Sequence, residues 1–169
     1  MATREVLLAL LRGGPAHGYT LKREHDVWFP DARPLAFGQV YATLARLERD
    51  SLITAEGTGC VGGPERTVYR LTPQGEAHLE AWLQEPAPVA RGGSDELVRK
   101  AVVALRTGYD TAGFLARQRA AHLREIRAVT ASTAPDAPSR LVCDHLIAHL
   151  DADLRWLDLA LTRVATRQS

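Results

Sequence analysis

The chain has 169 residues, 46% of them apolar and 24% charged, a balance that fits an ordinary globular protein and excludes a chain disordered throughout. A net charge of +1 excludes a general polyanion binder, and residues 1–86 are slightly acidic, with nine basic against eleven acidic groups. Any affinity for nucleic acid must come from local segregation of charge. The two cysteines, Cys60 and Cys143, match no CxxC or zinc spacing, so a disulfide framework is not expected and a reducing cytoplasm fits best. The apolar run from Val6 to Leu11 is too short for a signal-peptide core or a membrane span, so the expectation is a protein neither exported nor inserted.

Taken in chain order, Thr3 is placed to cap a first helix whose Val6, Leu7, Leu10 and Leu11 share a face, and Gly13, Gly14 and Pro15 stop it. A second short helix spans about Gly18 to Val27, and Pro30 and Pro34 bracket the loop after it. Val40, Leu44 and Leu47 recur at i, i+4 and i+7 and predict a third helix, with Leu52 tucked behind it and Gln39, Ala42, Ala45, Arg46 and Arg49 on the opposite face. Strand-like segments at Ile53 to Thr58 and Thr67 to Leu71 flank a Gly-rich turn from Gly59 to Arg66, predicting a hairpin. Thr72 and Pro73 start a fourth helix that ends before Pro86, since proline at the first helical position has no amide to leave unsatisfied.

The segment PAPVARGG, residues 86–93, marks a linker between residues 1–85 and 94–169. Ser94 caps a helix with Leu97, Val98, Ala101, Val102 and Leu105 as its apolar side, and another helix runs from about Thr111 to Val129. A loop from Thr130 to Ser139 precedes a last long helix. There Cys143, Ile147, Leu150, Leu154, Leu157, Leu161 and Val164 alternate steps of four and three, the seam of a helix packed on another helix. Two readings stand open, a homodimer seam, which is favoured, and an intramolecular bundle core.

Few motifs carry chemistry. Gly57, Gly59 and Gly62 spell GxGxxG after a strand, but Gly63 and Pro64 lead into a second strand where a dinucleotide loop must open a helix. These glycines read as hairpin-tip flexibility. No Walker A loop, HExxH or GxSxG is present, and no nucleophile, base and orienting group can be assembled, so no enzyme and no cofactor is expected. His145, His149 and Asp153 at i, i+4 and i+8 could present a metal ligand stripe or form the polar flank of the seam. Cys60 reads as an ordinary surface cysteine rather than a redox thiol.

The order helix, helix, helix, hairpin is that of a winged helix-turn-helix domain. Its third helix enters the major groove, where Gln39 suits base edges and Tyr41, Thr43, Arg46 and Arg49 suit phosphates, with Arg66 and Arg70 on the hairpin. The runs HGYTLKRE from His17, GQVYATLARLERDSLI from Gly38 and GGPERTVYRLTPQGEAHLEAWL from Gly62 resemble the hallmark segments of the PadR family of bacterial transcriptional regulators. The run HLDADLRWLDLALTRV from His149 resembles the last helix of its larger members. The sequence departs from the family pattern at Ala36 and Phe37, where a Ser or Thr cap and often Pro are usual, at Ala42 for proline, and at Ser51 for a helix-ending glycine.

The resemblance implies a mainly α fold with a small β-hairpin, made of a winged helix-turn-helix domain and a C-terminal helical dimerisation domain. It implies DNA contact by His17, Tyr19, Gln39, Tyr41, Thr43 and the hairpin basics, to which Lys22 and Arg46 are added. It also implies dimerisation by Ile147, Leu150, Leu154, Leu157, Leu161 and Val164. The expected protein is a cytoplasmic homodimeric repressor that binds a double-stranded operator and is released by a small hydrophobic or aromatic effector near Phe114, Leu150 and Trp156. The alternative is a helical dimer that binds a metal or cofactor and uses its winged domain for protein contacts.

Overall fold

The computed structural model describes residues 3–30, 32–59, 66–89, 95–132, 134 and 136–168. It divides into two compact units, Met1–Gln84 and Glu85–Ser169. The first contains α1 (Thr3–Leu11), β1 (Ala16–His17), α2 (Gly18–Trp28), α3 (Phe37–Arg49), β2 (Ile53–Gly59), β3 (Arg66–Leu71) and α4 (Pro73–Gln84). Thr3 is already helical in it. Six consecutive residues of α1, Val6 to Leu11, are buried, including Leu8 and Ala9. A helix apolar on every side must be surrounded, and α1 touches α2, α3, α4 and β3. The single buried face expected for it is thus replaced by a central position.

The hairpin gains a strand that the sequence did not signal. Ala16 and His17 pair antiparallel with Tyr69 and Val68, giving the sheet order β1-β3-β2. Two residues are too few for any alternation to be visible. Gly57, with φ +101°, sits in β2 where the register with β3 shifts between Ala55 and Thr58. It therefore serves a bulge, not the hairpin tip, because the extra residue needs a backbone conformation that favours glycine. Gly62 and Cys60 lie outside the described residues.

Two corners fix the wing against α3. Ser51 adopts φ +58° as α3 ends, and the Leu52 amide donates back to the Leu47 carbonyl at 2.9 Å. The Thr72 hydroxyl donates to the Ser51 carbonyl at 2.8 Å and accepts from the Gly75 amide at 3.0 Å, so one side chain joins the end of α3 to the start of α4. A Cβ at Gly75 would lie 2.1 Å from the Leu52 carbonyl oxygen. Only glycine permits that approach.

The second unit contains α5 (Asp95–Thr107), α6 (Thr111–Ala131) and α7 (Ala137–Gln168). Asp110 caps α6 by accepting from the Gly113 amide at 2.8 Å, and Asp136 accepts from the Ser139 amide at 2.8 Å. That cap starts α7 at residue 137, so the loop expected through Ser139 is shorter. The Ser139 side chain and amide hold the Asp136 carboxyl below its ordinary value.

The described part of the expected linker is not free. Ala87 is buried, its amide donating to Gln118 Oε1 at 2.6 Å and its carbonyl accepting from Gln118 Nε2 at 3.0 Å. Residues 90–93 of that linker and Ser94 lie outside the described residues. The face of α5 also differs from expectation. Leu97, Lys100, Val103 and Ala104 are buried while Val98 and Leu105 are exposed, and Lys100 Nζ donates to the Glu85 carbonyl at 2.8 Å. A lysine can occupy an inward position when its ammonium finds such an acceptor.

Candidate nucleic-acid interface

The surface formed by α2 and α3 is built on close helix contact. A Cβ at Gly18 would stand 2.8 Å from the Tyr41 ring and 3.2 Å from Leu44, so glycine lets the start of α2 approach α3. Inward-facing Val40, Leu44 and Leu47 then leave Gln39, Tyr41, Ala42, Ala45, Arg46 and Arg49 in solvent, the division that the periodicity predicts. Thr43 does not join them. It is buried, and its hydroxyl donates to the Gln39 carbonyl at 2.7 Å, so its expected role at a phosphate does not fit this placement.

Asp26 organises the loop between the two helices. One carboxylate oxygen receives Lys22 Nζ at 2.6 Å, while the other lies 3.3 Å from His25 Nδ1 and 3.4 Å from the Leu35 amide. Burial by itself would raise this carboxyl, but hydrogen bonds from Lys22, His25 and Leu35, with the Lys22 charge, outweigh it and hold the pKa below 3.8. Buried His25 also packs its ring against Phe29, with centroids 5.3 Å apart. The entry to α3 is thereby fixed although Ala36, its N-cap, makes no side-chain cap.

Charge is segregated by pairing. Arg4 meets Asp50 at 3.0 Å, Arg12 meets Glu76 at 2.8 Å, Lys22 meets Asp26 and Arg70 meets Glu56. Arg49 contacts Asp50 at 3.4 Å. Among the described residues of this unit, exposed Arg23, Arg33 and Arg46 make no ion pair. Acidic groups thus neutralise some cations and leave α2, the α2–α3 loop and α3 each with an open one. Of these, only Arg46 was expected from the sequence. Arg23 was legible as the basic neighbour of a lysine that has an aspartate four residues on, an i,i+4 pair that takes up Lys22.

His17 is half-buried, with Nδ1 3.3 Å from the Thr67 carbonyl, so it ties β1 to β3. Arg70 is half-exposed on the hairpin, and its bond with Glu56 raises its pKa. Burial and the charge of Glu48 push the Tyr69 phenol up. The side chain of Arg66 lies outside the described residues. Tyr19 and Phe37 stack with centroids 5.8 Å apart, and Lys22 Nζ stands 5.2 Å from the Phe37 centroid.

The second unit sorts its own candidates differently. Leu150 and Leu157 are fully enclosed within the chain, and Leu154, Leu161 and Val164 pack on the cluster of Ala87, Leu97, Phe114, Leu115 and Leu157. The regular seam of α7, with half-buried Cys143 and Ile147, is to this extent a bundle core. Buried side chains cannot also face a partner. Asp153 Oδ2 lies 3.2 Å from Nε2 of buried His122, whereas His145 and His149 approach each other at 3.1 Å. The three candidate metal ligands are therefore not one constellation, and among the described residues no group of His, Cys, Asp and Glu is set to hold a metal ion. A cavity of about 470 Å³ opens between α5, α6 and α7, lined by Leu105, Leu115, Trp156, Val164 and Arg163 among others. Phe114 belongs to the buried cluster and Leu150 is buried, so neither lines the cavity; Trp156 alone of the expected effector residues does.

A central buried helix, a second and third helix in close contact and a three-stranded wing define a winged helix-turn-helix unit, followed here by a three-helix unit. Residues 7–81 match the Transcriptional regulator PadR-like family, and the first unit of this chain is a domain of that family. A probable transcriptional regulator of Mycobacterium tuberculosis is 30% identical over 115 residues, covering 64% of this chain and 61% of the relative. The match thus spans under two thirds of that curated relative's length. In fold, the chain is similar to Bacillus subtilis PadR in complex with operator DNA, at a TM-score of 0.50 and 20% identity over 97% of this chain and 99% of that one. No helix among the described residues is long and apolar enough to cross a membrane.

Proposed function

We propose that this chain is a DNA-binding transcriptional repressor, acting as a homodimer on a pseudo-palindromic operator and released by a small hydrophobic or aromatic effector. The observation that carries the proposal is the outward face of α3. Gln39 and Tyr41 are exposed there with Arg46 on the same helix, and Arg46, Arg23 on α2 and Arg33 in the loop before α3 make no ion pair among the described residues, although exposed Glu24 and Glu48 are likewise without one. Phosphate contacts fix register, while Gln39 reads base edges.

Since Leu150 and Leu157 are taken up within one chain, the dimer face on α7 is the exposed stripe that includes Leu141, Ala148, Ala152 and Leu159. The effector occupies the cavity beside Trp156, whose volume suits a small ligand. Its binding favours a dimer whose recognition helices no longer match the two half-sites.

Fluorescence anisotropy against DNA upstream of the protein's own gene tests this reading. Affinity falls steeply with salt, and Arg46→Ala reduces the slope of log K against log salt by about 0.9 for each phosphate that Arg46 neutralises. Equal affinity for unrelated duplexes would remove the operator reading. A mass consistent with a single chain at micromolar concentration in light scattering would remove the homodimer.

A further inference from the structure

We infer that Phe37 is a specificity-determining residue that reads the C5-methyl group of a thymine in each operator half-site. This role rests on the DNA-binding function proposed for the chain and names one interaction within it. Phe37 is the first residue of α3 and remains 45% exposed, with Tyr19 at 42% and Tyr41 at 48% beside it. The core of α3 is complete without this ring, because Val40, Leu44 and Leu47 supply the inward face. Single exposed apolar residues are ordinary on protein surfaces. This one differs because it is held in place.

Tyr19 stacks on Phe37 with only 10° between the ring planes, and Lys22 stands over the ring while Asp26 anchors the lysine at 2.6 Å. The ring is thus oriented before any partner arrives, so little side-chain freedom remains to be surrendered on binding. Its position is the end of α3 that reaches base edges in a winged helix. A phenyl ring has no donor or acceptor, and of the four bases only thymine presents a methyl group to the major groove. The chemistry therefore selects thymine, with Gln39 two residues on left to make hydrogen bonds.

The test uses the full-length protein. An operator is selected from a random double-stranded library, and each thymine in turn is replaced by deoxyuridine, which removes the methyl and nothing else. One position per half-site is expected to weaken wild-type binding about fourfold, the worth of one buried methylene-sized group. Phe37→Ala binds the thymine and uracil duplexes equally, whereas Phe37→Leu, which keeps an apolar side chain there, retains a penalty. A wild-type protein indifferent to every thymine methyl overturns the inference, as does a Phe37→Ala protein with the penalty intact. Failure to select any sequence overturns the DNA-binding reading itself, a result distinct from selective binding without methyl dependence.

Discussion

The two units handle buried polar groups in different ways. In the first, the buried polar side chains among the described residues are His25 and Thr43, and each contacts a group no more than four residues away. In the second, buried Thr111 also bonds locally, to the Tyr109 carbonyl, but Lys100, Gln118 and His122 are buried and reach across the chain: Gln118 to Ala87 and His122 to Asp153, each over 31 residues, and Lys100 to Glu85 over 15. In the first unit the long-range polar bonds lie at the less buried His17 and Thr72, whereas the helical unit carries them inside its core at Lys100, Gln118 and His122. A local device tolerates change around it. A long-range one fails when any member is removed.

The largest expected effect tests the exception in the first unit, the corner where backbone meets backbone. Gly75→Ala places a Cβ 2.1 Å from the Leu52 carbonyl oxygen, and no rotamer relieves the clash, so stability falls by about 3 kcal/mol or more. Urea denaturation measures the loss. Segment-resolved hydrogen exchange should locate it within residues 1–84, and an unchanged midpoint would mean that the α3–α4 corner is slack.

Next comes the counterpart in the second unit. Gln118→Leu preserves volume but leaves the Ala87 amide and carbonyl without the partners they have now, at about 1–3 kcal/mol for each orphaned group. Hydrogen exchange should rise around residue 87 and along α6. A variant as stable as the wild type would show that the long-range bonds add nothing to the helical unit.

The local cluster at Asp26 gives a smaller, pH-dependent effect. Its native pKa is depressed below 3.8, so its contribution to stability is present above that value and is lost as pH falls through the lower native value. Asp26→Asn should be less stable than the wild type at neutral pH, and the difference should shrink as acid protonates the wild-type carboxylate. Thermal melts across that range measure it, and a constant difference would refute the assignment.

The smallest effect is a gain. Ser51 holds φ +58°, where glycine lacks the steric penalty of a Cβ, so Ser51→Gly should stabilise by about 0.5–1 kcal/mol once the flexibility of unfolded glycine is set against the relief. A loss of stability would mean that the Ser side chain contributes more than its conformation costs.

Much of the reading head was legible because its signals are local. The i, i+4, i+7 spacing of Val40, Leu44 and Leu47 separated the inner from the outer face of α3, and Thr72 with Pro73 marked the start of α4. Two-residue β1 carried no periodicity, and the inward turn of Thr43 depends on a backbone acceptor that type and spacing do not announce. In the second unit, helix positions were legible but faces were not. Apolar count favoured Val98 and Leu105 over Lys100, whereas in the structure Lys100 is the buried one and its ammonium donates to the Glu85 carbonyl.

The sequence by itself determined the order of helices and strands, the composition of the α3 surface and the regular seam of α7, because each is written in neighbouring residues. Tertiary structure decided that Arg4 meets Asp50 and Arg12 meets Glu76, that Leu150 and Leu157 face inward within one chain, and that Asp153 meets His122 instead of His149. Those outcomes depend on groups far apart in sequence being brought within a few ångströms, and ion pairing and burial act over that distance alone.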